Sequence, residues 1–328
     1  MNRVIRLSAG TAAVAGLARA RLDEVPTTAY VLAGDKCTAS CGFCPQSRCA
    51  ESRPGFLSRV SWPAFTVDQA VPALAQAAAA GRFRRVCVQL VQGGDGASAC
   101  LELIRALRAR VEVPVAVSAA PLSEDCVLAW LEAGADRVGL PLDAACERVY
   151  ARVKQASWSR ALAVVEAAAG RFPGQVSTHL IVGLGETEEE AVGFLGHMAG
   201  YGVTVGLFAF TPVRGTPLED QSPPPVDVYR RVQVARFLLD RKVPGVKFAF
   251  LEGRLAGWGL SGSVLKQLLA DGEAFRTTGC ADCNRPYYNE RPGGVVFNYP
   301  RPLRPVEIRA CIRAALGQDA REGADICC

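Results

Sequence analysis

No apolar run in this sequence approaches the roughly 20 residues that a helix needs to cross a bilayer, so no membrane is expected among its partners. Long basic stretches are missing too. The 37 Lys and Arg residues barely outnumber the 32 Asp and Glu, giving a formal net charge of +5. They are scattered rather than interleaved with aromatics, which speaks against nucleic acid as a partner. Nor is there the even cysteine set of a secreted disulfide framework. Thirteen cysteines are present, an odd number clustered at short spacings, a pattern of ligands and thiols that points to a reducing cytoplasm. The stretch from Met1 to Arg21 imitates a signal peptide, with Arg3 and Arg6 ahead of small residues from Leu7 to Ala18. Its middle is rich in Ala, Gly and Thr rather than Leu, and a short N-terminal helix is the expectation.

What is present reads as a folded globule. Half of the 328 residues are hydrophobic. Short apolar runs bounded by Gly, Pro or Asp alternate with Ala- and Leu-rich segments of helical period, as in repeated β–α units around a parallel sheet. Strands are predicted near 28–33, 85–91, 113–117, 137–140, 176–182, 203–210 and 246–250, with helices near 67–80, 100–110, 123–133, 159–169, 188–200 and 226–241. The count approaches a full (β/α)8 TIM-type barrel, an α/β fold whose chemistry sits on loops at the C-terminal ends of the strands. The expected organisation is an N-terminal helical extension over 1–26, the barrel over 27–270 and a Cys-rich C-terminal appendage over 271–328. The appendage has no β–α repeat and is expected to close over the barrel mouth.

After the first predicted strand come Cys37, Cys41 and Cys44, spaced C-x3-C-x2-C. Three thiolates on one tight loop can hold three irons of a cubane and leave the fourth iron open. Zinc is the alternative, but a structural zinc site closes with four ligands. No adjacent His or Cys at a standard distance completes one, unless Cys49 does.

With Phe43 just before the third cysteine, this loop resembles the signature of the radical SAM superfamily. The resemblance implies a [4Fe–4S] cluster whose open iron chelates S-adenosyl-L-methionine (SAM). Reductive cleavage of SAM then gives a 5′-deoxyadenosyl radical that removes hydrogen from an unactivated carbon. It also implies an electron donor such as ferredoxin or flavodoxin. Gln92, Gly93, Gly94 and Asp95 stand where the family has its Gly-Gly-Glu motif, with Asp95 in place of Glu; glycine lets a ligand approach the backbone. Val182-Gly183-Leu184-Gly185-Glu186-Thr187 matches a family motif beside the adenine and ribose. Cys44-Pro45-Gln46-Ser47, Phe210-Thr211-Pro212 and Gly215-Thr216-Pro217-Leu218 resemble the biotin synthase branch. Asp143 aligns with a ribose-contacting aspartate, next to Pro141 where the family has a polar residue nearby. Phe43, Gly93, Gly94, Asp95, Asp143, Gly183, Gly185 and Glu186 are thus the expected SAM-binding set.

Biotin synthases carry a [2Fe–2S] cluster on three strand cysteines and an arginine. Here Cys87 aligns with the first, but 117–119 and Ser177 supply no thiols at the other two positions, and Lys247 stands near the arginine's place. That cluster cannot form in the same way, and Cys87 alone is more often an apolar filler. The unusual segment is 279–294, where Cys280 and Cys283 form a C-x2-C pair and Arg285, Tyr287, Tyr288 and Arg291 surround it. Cys327 and Cys328 at the end of the chain offer a third ligand and a fourth. An auxiliary [4Fe–4S] cluster, a structural zinc and a redox disulfide are all open readings. The arginines and tyrosines either bond the ligand group or tie the appendage to the barrel, and His179 either meets SAM or substrate or is a satisfied core residue. Cys100, Cys126, Cys146 and Cys311 read as core residues.

A barrel of the biotin synthase type with a Cys-rich C-terminal segment resembles the two-subunit, or split, lipoyl synthases. Their implied chemistry is sulfur insertion at C6 or C8 of octanoyl chains on a lipoyl-carrier protein, with a homologous radical SAM partner subunit and an auxiliary cluster as sulfur source. The C-x4-C-x5-C motif and Ser ligand of single-chain lipoyl synthases are missing. The rivals are a radical SAM mutase or methylase whose second cluster is structural or relays electrons, and a cluster- or zinc-binding assembly protein without turnover.

Overall fold

The computed structural model describes residues 3–34, 37–52, 55–94, 96–120, 123–288, 290 and 293–317. Asp95, Arg291, Cys327 and Cys328 lie outside the described residues. The chain opens with strand β1 (Val4–Leu7), helix α1 (Ala9–Val14) and β2 (Thr28–Ala33), then a small hairpin of β3 (Phe56–Leu57) and β4 (Val60–Ser61). Next come β5 (Ala64–Thr66), α2 (Val67–Ala79), β6 (Arg85–Leu90), α3 (Gly96–Arg108), β7 (Val115–Ser118), α4 (Glu124–Glu132) and β8 (Arg137–Gly139). Two helices, α5 (Glu147–Lys154) and α6 (Trp158–Arg171), lead to β9 (Val176–Val182), α7 (Glu188–Gly200), β10 (Thr204–Ala209) and α8 (Val226–Asp240). The hairpin of β11 (Ala249–Leu251) and β12 (Arg254–Gly257), then α9 (Gly262–Leu268) and α10 (Pro305–Leu316), complete the described elements.

Strands β2, β6, β7, β8, β9 and β10 are parallel neighbours in that order. β1 and β5 extend the β2 edge antiparallel, so the main sheet has eight strands. The α/β architecture expected from the alternation is present, but the segment near 246–250 is not a seventh parallel strand. β11 pairs with β12 across a turn at Glu252 and Gly253, whose φ angles of 51° and 76° are those of a tight hairpin. With Leu251 70% exposed, β11 lacks the two buried faces that a parallel strand needs.

Local signals explain the helix starts. Thr66 with Gln69 and Thr187 with Glu190 form reciprocal capping boxes on α2 and α7, and Ser123 and Ser157 cap α4 and α6. The expected N-terminal helix is α1, capped by Ser8. It is preceded by β1, whose pairing with the sheet the sequence pattern did not reveal. Strand side chains alternate with a period of two. Ala29, Val31, Val86, Val88, Val115 and Val117 are buried in the main core, whereas Tyr30, Leu32, Cys87, Gln89, His179 and Phe208 point into an interior cavity. Cys100 lies in the main core, Cys126 and Cys146 pack against it, and Cys311 is buried in a second core between α8, α9 and α10.

Candidate functional site

A cavity of about 420 Å³ is enclosed by the inner faces of the parallel strands and the loops at both of their ends. Cys37, Cys41, Phe43 and Cys44 line it from the loop after β2, at the C-terminal ends of the strands. That loop is fixed by its own backbone. The Cys44 amide donates to the Cys41 carbonyl at 3.2 Å, Gly42 donates to Val153 at 2.7 Å, and Leu218 donates back to Gly42 at 3.1 Å. Burial pushes the Cys41 thiol up to about 11 against the pull of the Lys154 ammonium, and pushes Cys44 up to about 12 with Cys41 adding to the rise. The three thiols therefore lie close enough to act on one another electrostatically. Among the described residues no three His, Cys, Asp or Glu side chains converge tightly enough to hold a single metal ion.

Asp143 lies beside that loop, in the left-handed region at φ 66°. Its amide donates to the His179 carbonyl at 2.9 Å and its carbonyl accepts from Ile181 at 2.9 Å, so β9 holds the turn in place. The carboxylate takes a 2.6 Å bond from Lys154 Nζ, which also donates to the Pro141 carbonyl at 2.8 Å. Both side chains are about nine-tenths buried. Burial opposes the lysine charge, but Asp143, with Cys41 and Tyr150 behind it, outweighs this and holds the ammonium above the usual lysine range. His179 faces the cavity, packed edge-on against Phe208. Burial draws its imidazole down to about 4, so it is neutral at pH 7. Lys154 and Phe208 are the site residues that sequence reasoning missed. Lys154 sits on α5, a helix whose apolar stripe is too short to stand out.

Of the other expected SAM-binding residues, the described ones, Gly93, Gly94, Gly183, Gly185 and Glu186, do not line the cavity. Gly93 and Gly94, with φ of 153° and 51°, form the turn after β6 beside Gln92, which does line it. Glu186 turns back on its own loop, accepting from the Gly183 amide at 2.6 Å and the Leu184 amide at 3.0 Å. Gly183 has φ 101°, and a Cβ there would come within 2.7 Å of Pro224. The match at 182–187 thus marks a tightly built turn at the rim of the site.

The second cysteine pair enters from the opposite end. Asn284 accepts from the amide and hydroxyl of Thr27, each at 3.0 Å, Arg84 pairs with Asp282 at 3.0 Å, and Arg85 Nε donates to the Ala281 carbonyl at 3.4 Å. Thr27, Arg84 and Arg85 stand where β2 and β6 begin, so this segment forms the floor of the barrel and does not close over its mouth. The reason lies in partners: Thr278 Oγ1 accepts the Leu207 amide of β10 at 2.8 Å, and Thr277 and Asn284 tie the loop to itself and to Val25. These bonds hold Asp282, Arg285 and Tyr287 at positive φ, a conformation that costs a non-glycine residue about 1 kcal/mol or more. Cys280, Cys283, Arg285 and Tyr288 reach the cavity, whereas Tyr287 faces a separate surface pocket. Lys247 is exposed and does not line the cavity.

A parallel α/β sheet with a three-thiol loop at the C-terminal strand ends, opening on a buried cavity, has the donor set for a cubane with one open iron. Residues 31–197, half of the chain, match the radical SAM superfamily, and the chain belongs to that superfamily. It is 29% identical to a biotin synthase of Beijerinckia indica over 208 residues, 62% of this chain and 64% of that protein. It is 33% identical to a lipoyl synthase of Chlorobaculum tepidum over 198 residues, 56% of this chain and 62% of that protein. The chain thus spans less than two thirds of the length of either relative. The crystal structure of methylornithine synthase shares the fold, with a TM-score of 0.52 and 17% identity over 65% of this chain and 62% of that one. Membership implies a [4Fe–4S] cluster and SAM. Among the described residues no helix is long and apolar enough to cross a membrane.

Proposed function

We propose that the chain is a sulfur-inserting radical SAM enzyme, one subunit of a split lipoyl synthase acting on octanoyl chains attached to a carrier protein. The observation that carries this reading is the single cavity shared by Cys37, Cys41 and Cys44 at one end and Cys280 and Cys283 at the other. Cys37, Cys41 and Cys44 would hold a cluster that, with SAM, would supply a radical able to take hydrogen from C6 or C8, and Cys280 and Cys283 would hold a second [4Fe–4S] cluster able to supply sulfur.

The rest is the work of the chain. Phe43, Asp143 and Lys154 build the wall on which the adenosine moiety lies, with Gly93, Gly94, Gly183, Gly185 and Glu186 shaping the turns around it. Leu32, Leu57 and Phe208 keep the interior apolar, which excludes water and suppresses quenching of a carbon radical. Proximity within one shared cavity supplies the encounter between carbon and sulfur. The expected partners are the octanoylated carrier, a homologous radical SAM subunit and a ferredoxin or flavodoxin. The test is anaerobic reconstitution followed by mass spectrometry of an octanoylated carrier domain, with SAM, reductant and the partner subunit present. Sulfur gain is expected; its absence alongside intact SAM cleavage removes the lipoyl reading.

A further inference from the structure

We infer that Cys87 is the third thiol of the second site, so that Cys87, Cys280 and Cys283 together form a cradle for an iron–sulfur cluster inside the barrel. This rests on the second cluster proposed above and replaces the chain-terminal cysteines as its missing ligand. The strand register makes the case. Tyr30 of β2 is paired with Cys87 of β6, so both side chains point the same way, into the cavity that they line. The Tyr30 hydroxyl lies 3.3 Å from Cys283 Sγ and also accepts the Arg285 amide at 3.1 Å. Cys87, Cys283 and Tyr288, with Cys37 of the first loop, pack against the buried Tyr30, Leu32, Trp62 and Val91. Cys280 stands one turn away, its carbonyl accepting the Cys283 amide at 3.2 Å.

The surroundings suit an anionic group. Arg285 is stacked on Phe208 at 3.9 Å on the same cavity wall, and its Nε is buried without a hydrogen-bond partner. Arg85 also has a buried Nη1 without a partner, and its charge acts on both Cys87 and Cys280. Two guanidinium groups with unspent donors beside three thiols match a cluster that carries net negative charge and sulfide acceptors. A filler cysteine in an apolar core explains neither the orphan donors nor the strained loop that brings Cys280 and Cys283 to a strand thiol. The bonds that hold the loop under the barrel fix this geometry without the chain terminus.

The experiment removes the first cluster and counts iron at the second. In the full chain carrying Cys37→Ala, Cys41→Ala and Cys44→Ala, reconstituted with iron and sulfide, about four irons per chain are expected, with a cubane Mössbauer signature. Adding Cys87→Ala should bring this below about one iron, while adding Cys327→Ala and Cys328→Ala should leave it at four. Cys87→Ala alone, with the first loop intact, should retain about four irons and a native circular dichroism spectrum, which separates ligand loss from misfolding. Four irons persisting without Cys87, or lost without Cys327 and Cys328, overturns the assignment. No iron in the triple variant removes the second cluster itself, and with it this inference, whatever the carrier assay shows.

Discussion

Lys154→Met is the perturbation whose size can be worked out furthest. It removes the ammonium 2.6 Å from Asp143 and leaves a carboxylate about nine-tenths buried with no cation in contact. Breaking a buried ion pair on one side costs about 3–5 kcal/mol, because the remaining charge keeps its desolvation penalty and loses its partner. The unfolding entropy of a 328-residue chain is about 0.7 kcal/mol per kelvin at ~2.1 cal/mol/K per residue. The midpoint of thermal unfolding should therefore fall by about 4–7 °C. The double variant Asp143→Asn/Lys154→Met leaves no buried charge and should recover more than half of that loss. Calorimetry on the four proteins of this cycle, all without cluster or SAM, isolates the pair from cofactor binding. A Lys154→Met midpoint within about 1 °C of wild type, or no coupling in the cycle, would refute the claim that this ion pair anchors the turn at the SAM wall.

Three further outcomes follow from the same geometry. Cys37→Ala should abolish 5′-deoxyadenosine formation, whereas Cys280→Ala should still form it and yield no sulfur-bearing product; chromatography of both products in one reaction distinguishes them. Glu188, which accepts from Arg231 at 2.6 and 2.8 Å and from the Leu255 amide at 3.0 Å, ties the β11–β12 hairpin to α7 and α8. Glu188→Ala should cost about 3–5 kcal/mol and strip hydrogen-exchange protection from Leu255 first. His179, with its folded value lowered from 6.5 to about 4, binds a proton in the unfolded chain before it does in the native one. Its contribution is complete above about pH 6.5, erodes as the pH falls and is lost by about pH 4, a total on the order of 3 kcal/mol. Denaturant melts of wild type and His179→Gln across that window should converge at acid pH; parallel curves would show that His179 is solvated as an ordinary histidine.

The sequence pattern was most informative where local rules decide the outcome. All six parallel strands follow from apolar runs between turn residues, and the spacing of Cys37, Cys41 and Cys44 predicts three thiols on one loop, as found. The helix over 188–200 is legible from Thr187 and Glu190 because a capping box is a local signal. What escaped depends on distant partners. β1 is four residues long and becomes a strand only because β2 and β5 flank it. Lys154 carries no local signal of its role, which depends on Asp143, eleven residues away and in the left-handed region. The alternation at 246–250 suits a strand, but the Glu252–Gly253 turn closes it into a hairpin before it can reach β10. Nothing in the order of residues says which end of the barrel the segment 279–288 approaches; that is set by Thr27, Arg84 and Leu207, which lie far from it in the chain.

Approach from the floor changes what the second thiol pair can do. A lid over the mouth would put both thiol groups on the same side as SAM, in competition for the space above the strands. With the pair at the floor, the barrel interior itself separates them. Cys87 is three residues from the C-terminal end of β6, which at a rise of ~3.3 Å per residue puts it about 10 Å below the rim where the first cysteine loop begins. The walls between are strand side chains such as Leu32, Gln89 and Phe208. The position of Cys280 and Cys283 thus sets the two thiol groups at opposite ends of one cavity, so that a molecule acted on by both would have to lie between them.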